Sequence, residues 1–160
     1  MKSLVVCYSV SGKTRLVSRV IAEALNTKVV EIKETKTRRG RFSLYVIGSF
    51  GALTNKGSKI KPLDLNLKQY DRIFLGSPIW ASRPAPAVNS FIYQTDFDDR
   101  SVIPFFTMGG DNADKALANV RAKIEKSGGK VAGSFAITTN KVSDKQIVAR
   151  AKEAAKQYSG

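Results

Sequence analysis

The chain has 160 residues, with 27 Lys and Arg against 13 Asp and Glu for a formal charge of +14. Its 42% hydrophobic and 25% charged residues make an ordinary globular mixture. It has no histidine and one cysteine, Cys7. This excludes Ser-His-Asp and Cys-His catalytic sets, His-ligated metals, internal disulfides, Cys-x-x-Cys pairs and cysteine-held iron–sulfur clusters, so redox chemistry would have to come from a bound cofactor.

Residues 4–9 (LVVCYS) are a near-continuous apolar run, as expected of a strand buried on both faces. The lysine and apolar residues at the start resemble a signal peptide only faintly. The run is too short, and Gly12, Lys13, Thr14 and Arg15 follow where small cleavage-site residues would stand. No apolar run approaches the roughly 18–20 residues of a membrane span. With a lone cysteine that fits a reducing compartment, a cytoplasmic protein is expected. After Gly12, the positions of Leu16, Val17, Val20, Ile21, Ala24 and Leu25 form one helical stripe.

Residues 28–32 read as a second strand, 72–77 as a third, 102–107 as a fourth and 131–137 as a fifth. Between them, Ala87, Val88, Phe91 and Ile92 form a short helical stripe behind Pro84 and Pro86. Ala113, Ala116, Leu117, Val120 and Ile124 form another, closed by Gly128 and Gly129. Ile147, Val148, Ala151, Ala154 and Ala155 form the last. Residues 33–67 are the least patterned stretch. Within it, 42–53 is apolar enough to lie on the protein as a helix, although Gly40, Gly48, Gly51 and Gly57 loosen it. No repeat or linker divides the chain, so residues 1–160 are expected to form one α/β domain: a five-stranded parallel sheet with helices on both faces.

Ligands of such sheets sit beyond the carboxyl ends of the strands, and three loops should form that edge. The first holds Ser9, Val10, Ser11, Gly12, Lys13 and Thr14. Three hydroxyls around a glycine, facing first-turn helix amides, make an anion site and exceed what one N-cap needs. A P-loop requires glycine where Cys7 stands, and no strand ends in an acidic residue for magnesium. A tyrosine-phosphatase loop would need arginine at Lys13, whose ammonium lacks the bidentate fork, and Cys7 falls where strand alternation buries it. A G-x-G-x-x-G fingerprint is absent. The second loop, 77–86, includes Pro78, Ile79, Trp80 and Ala81. Trp80, the only tryptophan, offers either a packing lid or a stacking plate for a flat ring. The third holds Thr107, Met108, Gly109, Gly110 and Asp111. It is either a plain strand-to-helix turn capped by Asp111 or Asn112, or a backbone edge open to close approach by a ligand. Together the loops suit a molecule with a phosphate tail and a flat polar ring, the shape of flavin mononucleotide (FMN).

These loops resemble those of the flavodoxin family: YSVSGKT at 8–14, FLGSPIW at 74–80 with PAP at 84–86, and FFTMGG at 105–110. The resemblance extends over nearly the whole chain and is closest to small flavodoxin-like proteins with a tryptophan in the second loop. It implies a three-layer α/β/α fold with strand order 2-1-3-4-5, non-covalent FMN and electron transfer. It would put the phosphate at residues 9–14, place 78–81 beside the ring and line the ring's polar edge with 107–110. The family's usual Asn is Lys13 here, its usual Gly after Trp-Ala is Ser82, and its usual acidity is replaced by +14. The resemblance is compatible with an FMN electron carrier, with an FMN-dependent NAD(P)H reductase of quinones or other acceptors, and with a flavin-free binding module. The missing histidine agrees with a carrier, which needs no acid–base residue. The basic residues Lys33, Lys36, Arg38, Arg39, Arg41, Lys56, Lys59 and Lys61, with only Glu34 among them, suggest an acidic redox protein as partner. No aromatic residue interleaves with the basic cluster at 33–41, so specific nucleic-acid binding is not expected.

Overall fold

The structure is a computed structural model that describes residues 1–36, 57–110 and 112–159. In chain order the elements are β1 (Ser3–Cys7), α1 (Lys13–Ala24), β2 (Val29–Glu31), a 3₁₀ turn (Leu67–Gln69), β3 (Arg72–Trp80), β4 (Arg83–Pro84), α2 (Pro86–Tyr93), β5 (Ser101–Met108), α3 (Asp114–Lys126), β6 (Lys130–Val131), β7 (Phe135–Thr138) and α4 (Asp144–Lys156).

The sheet runs β2-β1-β3-β5-β6, and β7 also pairs with β5. All these pairings are parallel, with registers such as Val5 opposite Val29, Val5 opposite Phe74 and Phe74 opposite Ile103. Strand alternation separates two apolar layers. Leu4, Val6, Ile73, Leu75, Val102 and Phe106 face α2 and α3 through Phe91, Ile92, Val120 and Ile124. Val5, Phe74, Ile103 and Phe105 face α1 and α4 through Val17, Ile21, Ile147 and Ala151. This is the expected flavodoxin-like α/β arrangement, with β1 and β3 central.

Three details differ from the sequence reading. The third strand runs three residues past Ser77, so Pro78, Ile79 and Trp80 belong to β3 and not to a loop. Proline is tolerated there because β1 ends opposite Gly76, and beyond it β3 has a flank with no β1 ladder bond to lose. The strand then turns back antiparallel into β4, Ile79 opposite Pro84 and Trp80 opposite Arg83. The fifth strand is split at residues 132–134, and both halves add to β5. Tyr158 lies against the break: a Cβ on Gly133 would stand 2.6 Å from its Oη, so the ring after α4 leaves room there for glycine alone. Finally, β5 runs to Met108, which takes Thr107 and Met108 out of the third loop. The helix expected within 42–53 and the cap expected from Asp111 lie outside the described residues.

Candidate functional site

The first loop leaves β1 and enters α1 through Gly12, whose φ of 94° and ψ of −11° place it in the left-handed region that glycine tolerates best. That conformation has a consequence for the helix. An N-cap side chain accepts from the first-turn amides out of an extended backbone, and Gly12 has neither the backbone nor the side chain. No side chain caps α1, and no acidic residue stands in its first turn. The Ser9 hydroxyl just before it is buried and has no hydrogen-bond partner. Uncapped amides, a positive dipole end and an orphaned buried hydroxyl together form a cradle that suits an anion.

The cations of this turn are engaged elsewhere. Lys13 Nζ lies 2.5 Å from Asp144 Oδ1 at the start of α4. Arg15 donates Nε and Nη2 to the two Glu31 oxygens at 3.0 and 2.6 Å. The Thr14 hydroxyl is buried and lies 2.7 Å from the Thr107 hydroxyl, which ties the first loop to the end of β5. Two hydroxyls share one bond there, so one proton is left over for a further acceptor.

The second loop is a hairpin. Ala81 and Ser82 carry it at φ 49° and 61°, two consecutive left-handed residues, as a two-residue hairpin turn of this hand demands. Neither is glycine, so the turn stores strain of about 1–2 kcal/mol per residue. Ser77 holds its base: its hydroxyl accepts from Ala85 N at 3.0 Å and donates to the Pro78 carbonyl at 2.9 Å. Trp80 is half-buried at the end of β3 and meets Tyr8 edge-on, ring centroids 6.0 Å apart and planes 83° apart.

Between this hairpin and the third loop lies a cavity of about 640 Å³, lined by Ile79, Ala81, Ser82, Met108, Gly109, Gly110, Asn112, Thr139 and Asn140. None of these residues is ionisable. Val10 and Ser11 extend the first loop, and Pro78 stands in β3 opposite Thr107. The structure thus brings residues 9–14, 78–81 and 107–110 to one edge of the sheet. Sequence reasoning missed the fourth contributor, Thr139 and Asn140 after β7. The polar run Thr138, Thr139, Asn140 following an apolar strand was its only signal. Asn112, one of the two expected caps, is not the N-cap of α3: it stands one residue before the N-cap Ala113 and accepts from Asp114 N at 2.8 Å.

Two titratable groups lie outside this edge. Burial pushes the Cys7 thiol up to about 11, which fits a packed strand residue and not a nucleophile. Burial, with a smaller contribution from the Arg83 charge, brings Lys123 down to about 8. Its ammonium donates to Asn89 Oδ1 at 2.7 Å and Asn119 Oδ1 at 2.6 Å between α2 and α3. Among the described residues no cluster of three His, Cys, Asp or Glu could hold a metal ion, and no helix is long and apolar enough to cross a membrane.

A family model described as Flavodoxin matches residues 2–147, and the chain belongs to the flavodoxin family. No curated protein matches it. Among solved structures it is similar to a flavoprotein in complex with FMN from Lactobacillus acidophilus, at 24% identity and a TM-score of 0.74, covering 84% of this chain and 92% of that one. It is also similar to oxidised Flavodoxin 2 from Bacillus cereus (17%, TM-score 0.61, 99% and 97%). A third is a flavodoxin, WrbA-like protein from Agrobacterium tumefaciens (18%, TM-score 0.61, 98% and 99%).

Proposed function

We propose that this protein binds one FMN at the carboxyl edge of its sheet and serves as an electron carrier. The observation that carries the reading is the uncapped N-terminus of α1 beside the buried, unpartnered Ser9 hydroxyl, on the same edge as a cavity of about 640 Å³ whose described lining residues are non-ionisable. The first-turn amides of α1, with Ser9, Ser11 and the spare proton of the Thr14–Thr107 pair, would hold the phosphate. Ile79 and Met108 offer apolar cover to the ring, and the backbone of Gly109 and Gly110 offers polar contacts to its edge. When bound, FMN supplies one- and two-electron redox chemistry. The protein's own part is to bind, orient and shield it.

A carrier is favoured over an NAD(P)H-dependent reductase by the lining of that cavity. No described residue there can take up or release a proton near neutral pH, and the chain has no histidine. Flavin-fluorescence quenching tests the cofactor: the purified protein should quench added FMN to a one-to-one end point. Trp80→Ala should weaken that binding by about 1 kcal/mol if the indole packs against the ring. Steady-state oxidation of NADH or NADPH by the FMN-loaded protein should be absent; robust turnover would replace the carrier with the reductase.

A further inference from the structure

Beyond Glu31 the chain continues along the flank of the first loop. Residues 33–36 lie antiparallel to 59–61, joined by a bridge between Glu34 and Ile60. Thr35 N donates to the Lys59 carbonyl at 2.9 Å, and Lys61 N to the Lys33 carbonyl at 2.7 Å. The alternation of extended chain sorts the side chains. Glu34 and Ile60 turn inward: Glu34 accepts from Tyr8 Oη at 2.6 Å, and Ile60 packs on the core. Lys33, Lys59 and Lys61 are exposed on the outer side, and Lys36 is exposed next to them. None of the four makes an ion pair with another described residue. The nearby carboxylates are engaged already, Glu31 by Arg15 and Glu34 by Tyr8. Three of the lysines, Lys33, Lys36 and Lys61, line a hollow of about 330 Å³ together with Tyr8, Ser9 and Val10, so the face adjoins the first loop.

We infer that this lysine face is the docking surface for an acidic protein partner, which it would bring alongside the candidate flavin site. Its functional meaning rests on the carrier reading; its binding chemistry does not. Four ammonium groups held on one short bridged segment repel one another, and a carboxylate-rich surface relieves that repulsion while steering the encounter. Single-stranded nucleic acid would need exposed aromatic platforms, and a membrane surface would need apolar side chains to bury. Among the described residues the large exposed apolar side chains are Met1 and Tyr93, neither of them on this face.

The test uses the full chain loaded with FMN and three probes: poly-L-glutamate, a single-stranded DNA oligonucleotide, and vesicles of phosphatidylserine and phosphatidylcholine. A variant with Lys33→Glu, Lys36→Glu, Lys59→Glu and Lys61→Glu is compared with a charge-matched control, Lys115→Glu, Lys126→Glu, Lys145→Glu and Lys152→Glu. Polyglutamate affinity should fall about tenfold or more in the first and less than about threefold in the control, with the salt dependence flattened only in the first. Amide shifts on titration should concentrate at 33–36 and 59–61. An equal fall in the control overturns the inference, as does tighter binding of DNA or vesicles through the same lysines. FMN quenching measured on the same samples separates the two claims. Loss of face specificity with FMN binding intact overturns the docking surface alone, whereas face-specific binding by a protein that does not take up FMN overturns the carrier alone.

Discussion

Helices α1 and α4 start side by side at the carboxyl edge of the sheet, and they start differently. At α4, Ser143 Oγ accepts from Gln146 N, Gln146 Oε1 accepts from Ser143 N, and Asp144 adds a negative charge to the first turn. At α1 there is no capping side chain, no acidic residue, and two cations, Lys13 and Arg15, in the turn where the dipole disfavours them. The first residues of the two helices even touch, Lys13 to Asp144. One terminus is complete within the chain. The other has no capping side chain and no acidic residue in its first turn. That difference, on which the proposed phosphate site rests, distinguishes the two starts more sharply than the loop sequence does, because both are preceded by hydroxyl residues.

The largest effect should come from supplying α1 with its own anion. Ser11 is exposed one residue before Gly12, and Ser11→Asp puts a carboxylate beside the amide cradle. Two unit charges about 5 Å apart repel by about 3 kcal/mol at an effective dielectric near 20, so FMN affinity should drop by about 100-fold or more. The apo protein should meanwhile gain about 0.3–1 kcal/mol from the dipole. Fluorescence titration and urea denaturation of the apo form read the two signs. If apo stability rises and FMN affinity is unchanged, α1 is merely a poorly capped helix.

The reciprocal change belongs at α4. Ser143→Ala removes the Oγ half of the capping box and leaves the backbone N–H of residue 143 to donate to Gln146 Oε1; it should cost about 1 kcal/mol, a melting shift of about 2–4 °C for a chain of this size. FMN affinity should be unchanged. A smaller change tests the contact between the two starts. Asp144→Asn releases Lys13 from an exposed pair whose own contribution is below about 1 kcal/mol. The freed ammonium can then turn to the bound phosphate, and FMN should bind about twofold tighter at low salt. No gain would place Lys13 out of reach of the cradle.

The sheet was legible in the sequence because its strands are buried on both faces and read as unbroken apolar runs; residues 72–77 and 102–107 fall within observed strands, and the run 4–9 overruns β1 by two residues, Tyr8 and Ser9. The ends of those strands were not legible. Pro78 reads from sequence as part of the second loop, and only the register of β1 shows why a proline is tolerated in the strand there. The break in the fifth strand lies against Tyr158, which follows the last helix and is distant in sequence, so the close fit at Gly133 has no local signal. For the site, the hydroxyl-rich first loop could be read from residue types alone. The orphaning of Ser9 and the pairing of Thr14 with Thr107 could not, since each depends on a long-range contact or on its absence. Thr139 and Asn140 carry no local pattern that distinguishes them from any polar turn.

The smallest effect concerns strain and extends the comparison to the two ends of the sheet. Each end has a pair of consecutive left-handed residues. At the amino end they are Asp98 and Asp99, at φ 48° and 61°, in a residue type that visits this region more readily than most. Asp98 is moreover held by Arg100 Nη1 at 2.9 Å. At the carboxyl end they are Ala81 and Ser82, which gain nothing comparable from the conformation. Ser82→Gly should relieve about 1–2 kcal/mol of strain and add about 0.5–1 kcal/mol of chain entropy to the unfolded state, for a net stabilisation of about 0.5 kcal/mol. Asp98→Gly has less strain to relieve and loses the bond to Arg100, so its sign should be opposite. Denaturant midpoints of the two variants decide the matter. Opposite signs would mean that the hairpin beside the candidate flavin site is held in a conformation its own residues disfavour, while the turn at the far end is not. Equal signs would make the two turns equivalent, and the strain at Ala81 and Ser82 would carry no functional weight.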